Sequence, residues 1–262
     1  MKARLFAPPA LSPRFVAVWR RHFLVWRKLA IPSILGNLAD PLIMLFGLGY
    51  GLGSVLGNNL GGASYFAYLA GGFLCSSTMM GASFEAMFSA FSRMHVQKTW
   101  EAIVNAPMTL DDVLAGEWAW AATKAVSAGL CMLAVVAAVG YASFPHALAA
   151  IPVLALIGLA FGGLALCVNS LATGYDFFSY YMTLVLTPMM LLSGVFFPID
   201  PLPPAVKIVA EVLPLYHGIE LVRPMLAGGW PHDVVLHLAV LCAYAAGGFY
   251  LATVLTRRRL LV

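Results

Sequence analysis

Six stretches of roughly twenty apolar residues each, separated by short polar segments, constrain this chain more than any other feature. They run near Ile31–Val55, Tyr65–Ala90, Leu114–Val139, Leu148–Leu171, Phe178–Phe197 and Val234–Thr256. A helix needs about twenty apolar residues to cross the hydrocarbon core of a bilayer. Only 10% of the residues are charged and 61% are hydrophobic, against roughly a quarter charged in a soluble domain. The bilayer is therefore the solvent in which the sequence has to be read. The expected fold is an all-α integral membrane domain of six transmembrane helices over residues 1–262, with residues 1–29 as a tail plus amphipathic helix and residues 31–256 as the bundle.

The positions of the basic residues orient that bundle. Seven lie before residue 29, Arg93 and Lys98 lie in the second connection, and Arg257, Arg258 and Arg259 close the last stretch, twelve of fifteen in all. Lys207 and Arg223 alone fall in the alternate connections. Cytosolic loops carry the excess of Lys and Arg, so both termini and the segment 92–112 are expected in the cytosol. The net charge of +4 follows from this distribution and does not imply nucleic acid. Between Phe15 and Lys28, apolar residues such as Val18, Trp19, Phe23 and Trp26 alternate with Arg14, Arg20, Arg21 and Arg27. That pattern predicts a basic helix lying in the membrane interface, with Arg20, Arg21 and Trp26 as interfacial residues. Basic residues run to Lys28 and no small-residue cleavage site follows a short apolar core, so no cleavable leader is expected.

Catalysis finds little support. HExxH, GxSxG and GxxxxGK[ST] are all missing, and no Gly-Lys pair occurs. Ser193 and His217 would make a nucleophile and base only without any supporting motif. The chain is read as a non-enzyme, and any ATP that drives it must bind a separate subunit. Cys75, Cys131, Cys167 and Cys242 sit in apolar stretches without CxxC spacing, so they are read as small buried residues and no metal site is expected.

Charges inside spans are costly and point to function. Asp40, Glu85 and Lys124 qualify; at about 1.5 Å rise per residue they lie very roughly 14, 8 and 15 Å from the cytosolic side. They either neutralise one another or line an inward-opening cavity. Glu117, at the start of the third span, reads as interfacial. Gly47, Gly49, Gly51 and Gly53 in the first span, and Gly158 with Gly162 in the fourth, permit close helix approach within one chain or between two. The proline-rich segment 198–231 predicts short helices on or in the outer leaflet.

The segment Ser92–Glu117 is the most informative. Val96, Trp100, Ile103 and Val104 recur at helical spacing, Pro107 stops that helix, and Thr109 with Asp111 and Asp112 suits the cap of the next. A short amphipathic helix below the bilayer is suited to a partner's groove. Several blocks add a family likeness: Asn37-Leu-Ala-Asp-Pro-Leu-Ile, Leu45-Phe-Gly-Leu-Gly-Tyr-Gly-Leu-Gly, Thr99-Trp-Glu-Ala, Gly116-Glu-Trp-Ala-Trp and Ser193-Gly-Val-Phe-Phe-Pro. Together they resemble the nodulation protein J group of type-two ABC transporter permeases over nearly the whole chain.

The resemblance implies an exporter in a bacterial inner membrane. It would be built from two permease chains and two copies of an ABC ATPase resembling nodulation protein I, which would bind ATP and Mg. It makes the segment 96–105 a coupling helix, with Val96, Thr99, Trp100, Glu101, Ile103 and Val104 at the ATPase interface, and Phe15–Lys28 a connecting helix. It makes the segment 198–223 an external cap, with Ser193, Gly194, Phe197, Pro198, Pro214, Glu220 and Arg223 as cap residues. The implied cargo is a lipo-oligosaccharide or related glycolipid. Drug efflux is the nearest alternative, and a channel or scaffold without an ATPase is the alternative of another class.

Overall fold

The computed structural model describes residues 5–56, 64–104 and 107–261. The side chains of Asp40 and Val104, both sequence candidates, lie outside the described set, as does Asn105. Among the described residues the regular elements are helices and no strand occurs.

Helix α1 (Phe15–Trp26) buries Val18 and His22, four residues apart on one face, and passes through a 3₁₀ turn (Arg27–Leu29) into α2 (Ala30–Leu56). Helix α3 (Tyr65–Phe84) starts at Ser64, whose Oγ accepts from Ala67 N at 3.2 Å, and runs on through π turns at Glu85–Ser89 and Ser92–Val96. A π turn leaves backbone carbonyls without their usual partners, and Asn169 meets that need by donating to Ala86 O at 2.8 Å. Lys98, at φ 51°, breaks the path before α4 (Thr99–Val104). Helix α5 (Leu110–Ala138) opens with a reciprocal capping box between Thr109 and Asp112, which satisfies two orphan donors at once.

Then follow α6 (His146–Leu171), α7 (Asp176–Leu192, with a π turn at Met182–Leu186), α8 (Pro204–Val212), α9 (Pro214–Leu226) and α10 (Val234–Leu261). Four stretches are long and apolar enough to cross a membrane: Phe15–Val55, Leu110–Ala138, His146–Leu171 and Val234–Leu260. Asp176–Leu192 is apolar but shorter. Helix α3 sits at the centre, against α2, α5, α6 and α9. Its burial explains why it tolerates Ser76, Ser77, Thr78 and Ser83, since it has little surface to offer lipid.

Small residues set the closest approaches. A Cβ on Gly163 would meet Phe249 N at 2.9 Å, so α6 and α10 touch backbone to backbone there. A Cβ on Gly158 would meet Ala125 Cβ at 2.8 Å, so the fourth-span glycine is used within the chain, against α5. In α2 the four glycines divide by face: Gly49 would strike Phe66 at 2.6 Å, whereas Gly47 and Gly51 look into open space.

The ends of the bundle differ. At the basic end, residues 10–12 of the N-terminal strap reach the start of α5: Ala10 N donates to Asp111 Oδ2 at 2.8 Å, and Ser12 Oγ donates to Asp112 Oδ1 at 2.7 Å. Arg257 of α10 pairs with Asp111 and donates to Ala7 O at 2.6 Å. At the opposite end α9 is buried among α3, α6 and α10, while α8 turns Ile208, Val209 and Val212 outward.

Candidate functional site

The site is built where α1, the π-turned end of α3, α4 and α5 converge. Its hub is Glu117, 1% exposed. Arg93 Nε donates to Glu117 Oε1 at 2.9 Å, and Arg93 Nη2 also pairs with Glu117 Oε2. Trp100 Nε1 donates to Glu117 Oε1 at 2.9 Å, and His22 Nε2 of α1 lies 3.2 Å from the same oxygen. The guanidinium of Arg93 extends to a second carboxylate, Glu85 Oε1, at 2.9 Å, and Glu85 in turn accepts from Trp120 Nε1 at 3.0 Å. One arginine thus bridges two buried acids, and each acid takes an indole N–H. Removing water from such groups costs several kcal/mol per ion, recovered only when lone pairs and protons are well matched. The two tryptophans supply that match.

This geometry rearranges the sequence candidates. Glu85 pairs with Arg93, not with Lys124, although the sequence grouped it with Lys124 and left Arg93 in a loop. Lys124 Nζ instead hydrogen-bonds Ser33 Oγ of α2 and lies 5.4 Å from the centroid of the Trp26 ring. Trp26 Nε1 donates to the same Ser33 Oγ at 3.1 Å. Glu117, read from sequence as interfacial, is deep in the protein. Val96 closes the second π turn of α3 and is 66% exposed, so it does not continue the face of Trp100. Trp100 is 3% exposed and points inward, Ile103 is half-buried, and Glu101 is exposed while Thr99 Oγ1 donates to Arg93 O at 3.0 Å. Arg20 is exposed and Arg21 half-buried on α1. His22, Arg93, Trp100 and Trp120 are the partners sequence reasoning missed. A signal existed, because two acids and an arginine close to one end of the spans cannot be buried without donors.

Between α2, α3 and α7 opens a cavity of about 430 Å³ lined by Gly36, Pro41, Ser77, Met80, Phe84 and Met182. Ser77 Oγ is buried there without a partner. It is a mostly apolar space bounded by the three segments that carry the first, second and fifth apolar stretches.

At the opposite end the turn after α7 is held by a clamp. Gly194 adopts φ +79°, a conformation that favours glycine. Its carbonyl accepts from Tyr68 Oη at 2.9 Å and from Arg223 Nη2 at 2.7 Å, while the Arg223 guanidinium covers the Tyr68 ring at 3.8 Å. Tyr65 Oη donates to Phe196 O at 3.1 Å. Ser193 is buried, Phe197 is exposed, Pro198 and Glu220 are half-buried, and Pro214 starts α9. Both ring nitrogens of His217 are occupied: Nε2 donates to Glu211 O and Nδ1 meets His237 Nδ1, each at 2.8 Å. Burial holds the His217 imidazole below its usual range. His217 therefore has no free nitrogen with which to serve Ser193 as a base.

The family model described as ABC-2 type transporter matches residues 13–226, from just before α1 to the end of α9, and the chain belongs to that family of multi-pass membrane proteins. It is 48% identical over 260 residues to nodulation protein J of Rhizobium meliloti (strain 1021), covering 99% of each chain. It is 49% identical over 255 residues to nodulation protein J of Rhizobium leguminosarum bv. trifolii, covering 97% of each. A more distant relative, nodulation protein J of Azorhizobium caulinodans, is 33% identical over 215 residues, 82% of this chain and 84% of the relative.

Proposed function

We propose that the chain is the permease subunit of an ATP-driven exporter that moves a lipo-oligosaccharide or related glycolipid out of the inner leaflet of a bacterial inner membrane. The observation that carries this reading is the near-full-length similarity to nodulation protein J within the ABC-2 type transporter family. In this reading residues 1–262 form one domain, α3 and α7 join the four long apolar helices as six spans, and both termini and α4 are cytosolic. Two copies enclose a path along α2, α3 and α7. The open face of α2 at Gly47 and Gly51 is suited to the second copy. An ABC ATPase resembling nodulation protein I binds ATP and Mg and docks on α4.

The buried cluster supplies the mechanical link. A displacement of α4 by the ATPase acts on Trp100, which is bonded to Glu117, and so on α5, on α1 through His22 and on α3 through Arg93. The segments around the 430 Å³ cavity are then pulled by the same element that senses nucleotide. For this to drive transport, cargo has to bind the inward and outward arrangements with different affinity; Ser77, and Asp40 and Glu85 among the sequence candidates, are the polar groups proposed to supply that difference. The test is ATP hydrolysis by the permease reconstituted with the ATPase from the neighbouring gene, scanned against lipo-oligosaccharides, glycolipids and amphiphilic drugs, with vesicle transport of each stimulant. Stimulation and transport by a glycolipid is the expected result. Transport of drugs alone would overturn the cargo, and failure to form any ATPase complex would overturn the exporter.

A further inference from the structure

Beside the charge cluster, a second cavity of about 190 Å³ lies between α1 and the π-turned end of α3. Much of its polar lining is already paired. Glu85 pairs with Arg93 at 2.9 Å, Trp120 donates to Glu85, and Trp26 donates to Ser33. Arg21 also lines the cavity, and its Nη1 is shielded from solvent with no hydrogen-bond partner. A buried donor left unmade costs about 1–3 kcal/mol, and more when it is charged. The sequence near Arg21 offers no remedy, since no Asp or Glu occurs before Asp40 while seven Lys and Arg do. An acceptor reaching Arg21 through the cavity from outside the chain would supply the missing bond.

The surroundings identify its chemistry. Val25 is 56% exposed, Phe23 and Leu24 are each 37% exposed, and they stand on α1 beside exposed Arg20, Arg27 and Lys28. A helix with this mixture lies at the boundary of headgroups and acyl chains, which is the depth of lipid phosphates. A guanidinium matches a phosphate in a planar, two-pronged fashion. Ser89 and Gln97 line the same cavity as further hydrogen-bonding groups, and Val25 and Trp26 give its lining an apolar part. We propose that this cavity is a binding site for the phosphate headgroup of an anionic phospholipid, held by Arg21. The inference rests on the membrane-interface placement of α1 given above, and is independent of the cargo.

The full-length permease, purified in detergent, would be mixed with phosphatidylglycerol or phosphatidylcholine and the retained lipid measured by native mass spectrometry. The unaltered protein is expected to retain phosphatidylglycerol preferentially. Arg21→Ala is expected to lower that retention about fivefold, the effect of one basic group near an anionic lipid, while Arg20→Ala, one residue away on the exposed side, changes it less than about twofold. Equal losses in the two variants would reveal diffuse attraction and overturn the site, as would undiminished retention in Arg21→Ala. Displacement of the lipid by millimolar inorganic phosphate would overturn the lipid assignment in favour of a free anion. Thermal unfolding of Arg21→Ala, with Arg21→Lys as the charge-preserving companion, separates loss of the site from loss of the fold. Labelling of an Arg20→Cys variant from the outer face of intact cells would contradict the proposed topology while leaving the lipid retention to stand or fall by itself.

Discussion

At the basic end, Arg93 meets two carboxylates inside the protein; at the opposite end, Arg223 donates to the Gly194 carbonyl and lies flat on the Tyr68 ring. Both arginines fix a connection between helices, but they fail in different ways. Removing one member of a buried ion pair strands the other charge, at a cost of about 3–5 kcal/mol. Removing a carbonyl or a ring from an arginine strands a weaker dipole, and hydrogen bonds between membrane helices average only about 0.6 kcal/mol. The basic end is therefore the brittle one and the opposite end the forgiving one.

Arg93→Met tests this contrast most severely, because it strands Glu85 and Glu117 together. It is expected to lower stability by about 3–5 kcal/mol, read as thermal unfolding in detergent, and adding Glu85→Gln with Glu117→Gln should restore much of the loss. An unfolding midpoint equal to that of the unaltered protein would break the contrast. Arg223→Ala is expected to cost less, about 2–3 kcal/mol from one hydrogen bond and one cation–π contact, and to leave ATPase binding intact. A loss as large as that of Arg93→Met would make the two ends equivalent.

Trp100→Phe keeps the ring and removes one N–H from Glu117, so it is expected to cost about 1.5 kcal/mol. Its sharper readout is the ratio of transport to ATP hydrolysis, which should fall while the complex with the ATPase still forms. An unchanged ratio would disconnect α4 from the cluster. The smallest effect is expected from acid. Burial lowers the His217 pKa, so the unfolded chain takes up that proton first. The resulting stability is present above the ordinary imidazole value of about 6.5 and is lost as pH falls through the lower folded value. His217→Gln should flatten that acid limb of the unfolding curve.

Hydropathy alone located the apolar stretches, and the basic residues grouped α1, the segment leading into α4 and the end of α10. The charge partners were less legible for a specific reason. Glu85 and Arg93 are eight residues apart, and regular α-helical geometry turns them away from one another by about 80° at 3.6 residues per turn. Two π turns lie along this stretch, so regular spacing does not give its facing. Nothing in the residues Glu85-Ala-Met-Phe-Ser announces a π turn; its support, Asn169, lies 83 positions away. The bond of Trp100 to Glu117 was not legible, because periodicity gives a face without saying whether it looks toward a partner or toward a buried acid. At the opposite end the Ser193-Gly194 motif was visible, but Tyr68 and Arg223, which hold it, are far from it in sequence.

The strap at residues 5–12 sets an order on biosynthesis. Its contacts with Asp111 and Asp112 have to wait for α5, and the Arg257 contact to Ala7 O joins positions separated by 250 residues. At a synthesis rate of about 5–20 residues per second, the beginning of the chain remains without its final latch for tens of seconds, until the last helix emerges. The latch then closes only on a chain whose last helix has arrived on the same side as its first residues, so a protease directed at the strap would report, in living cells, how long each new molecule takes to be finished.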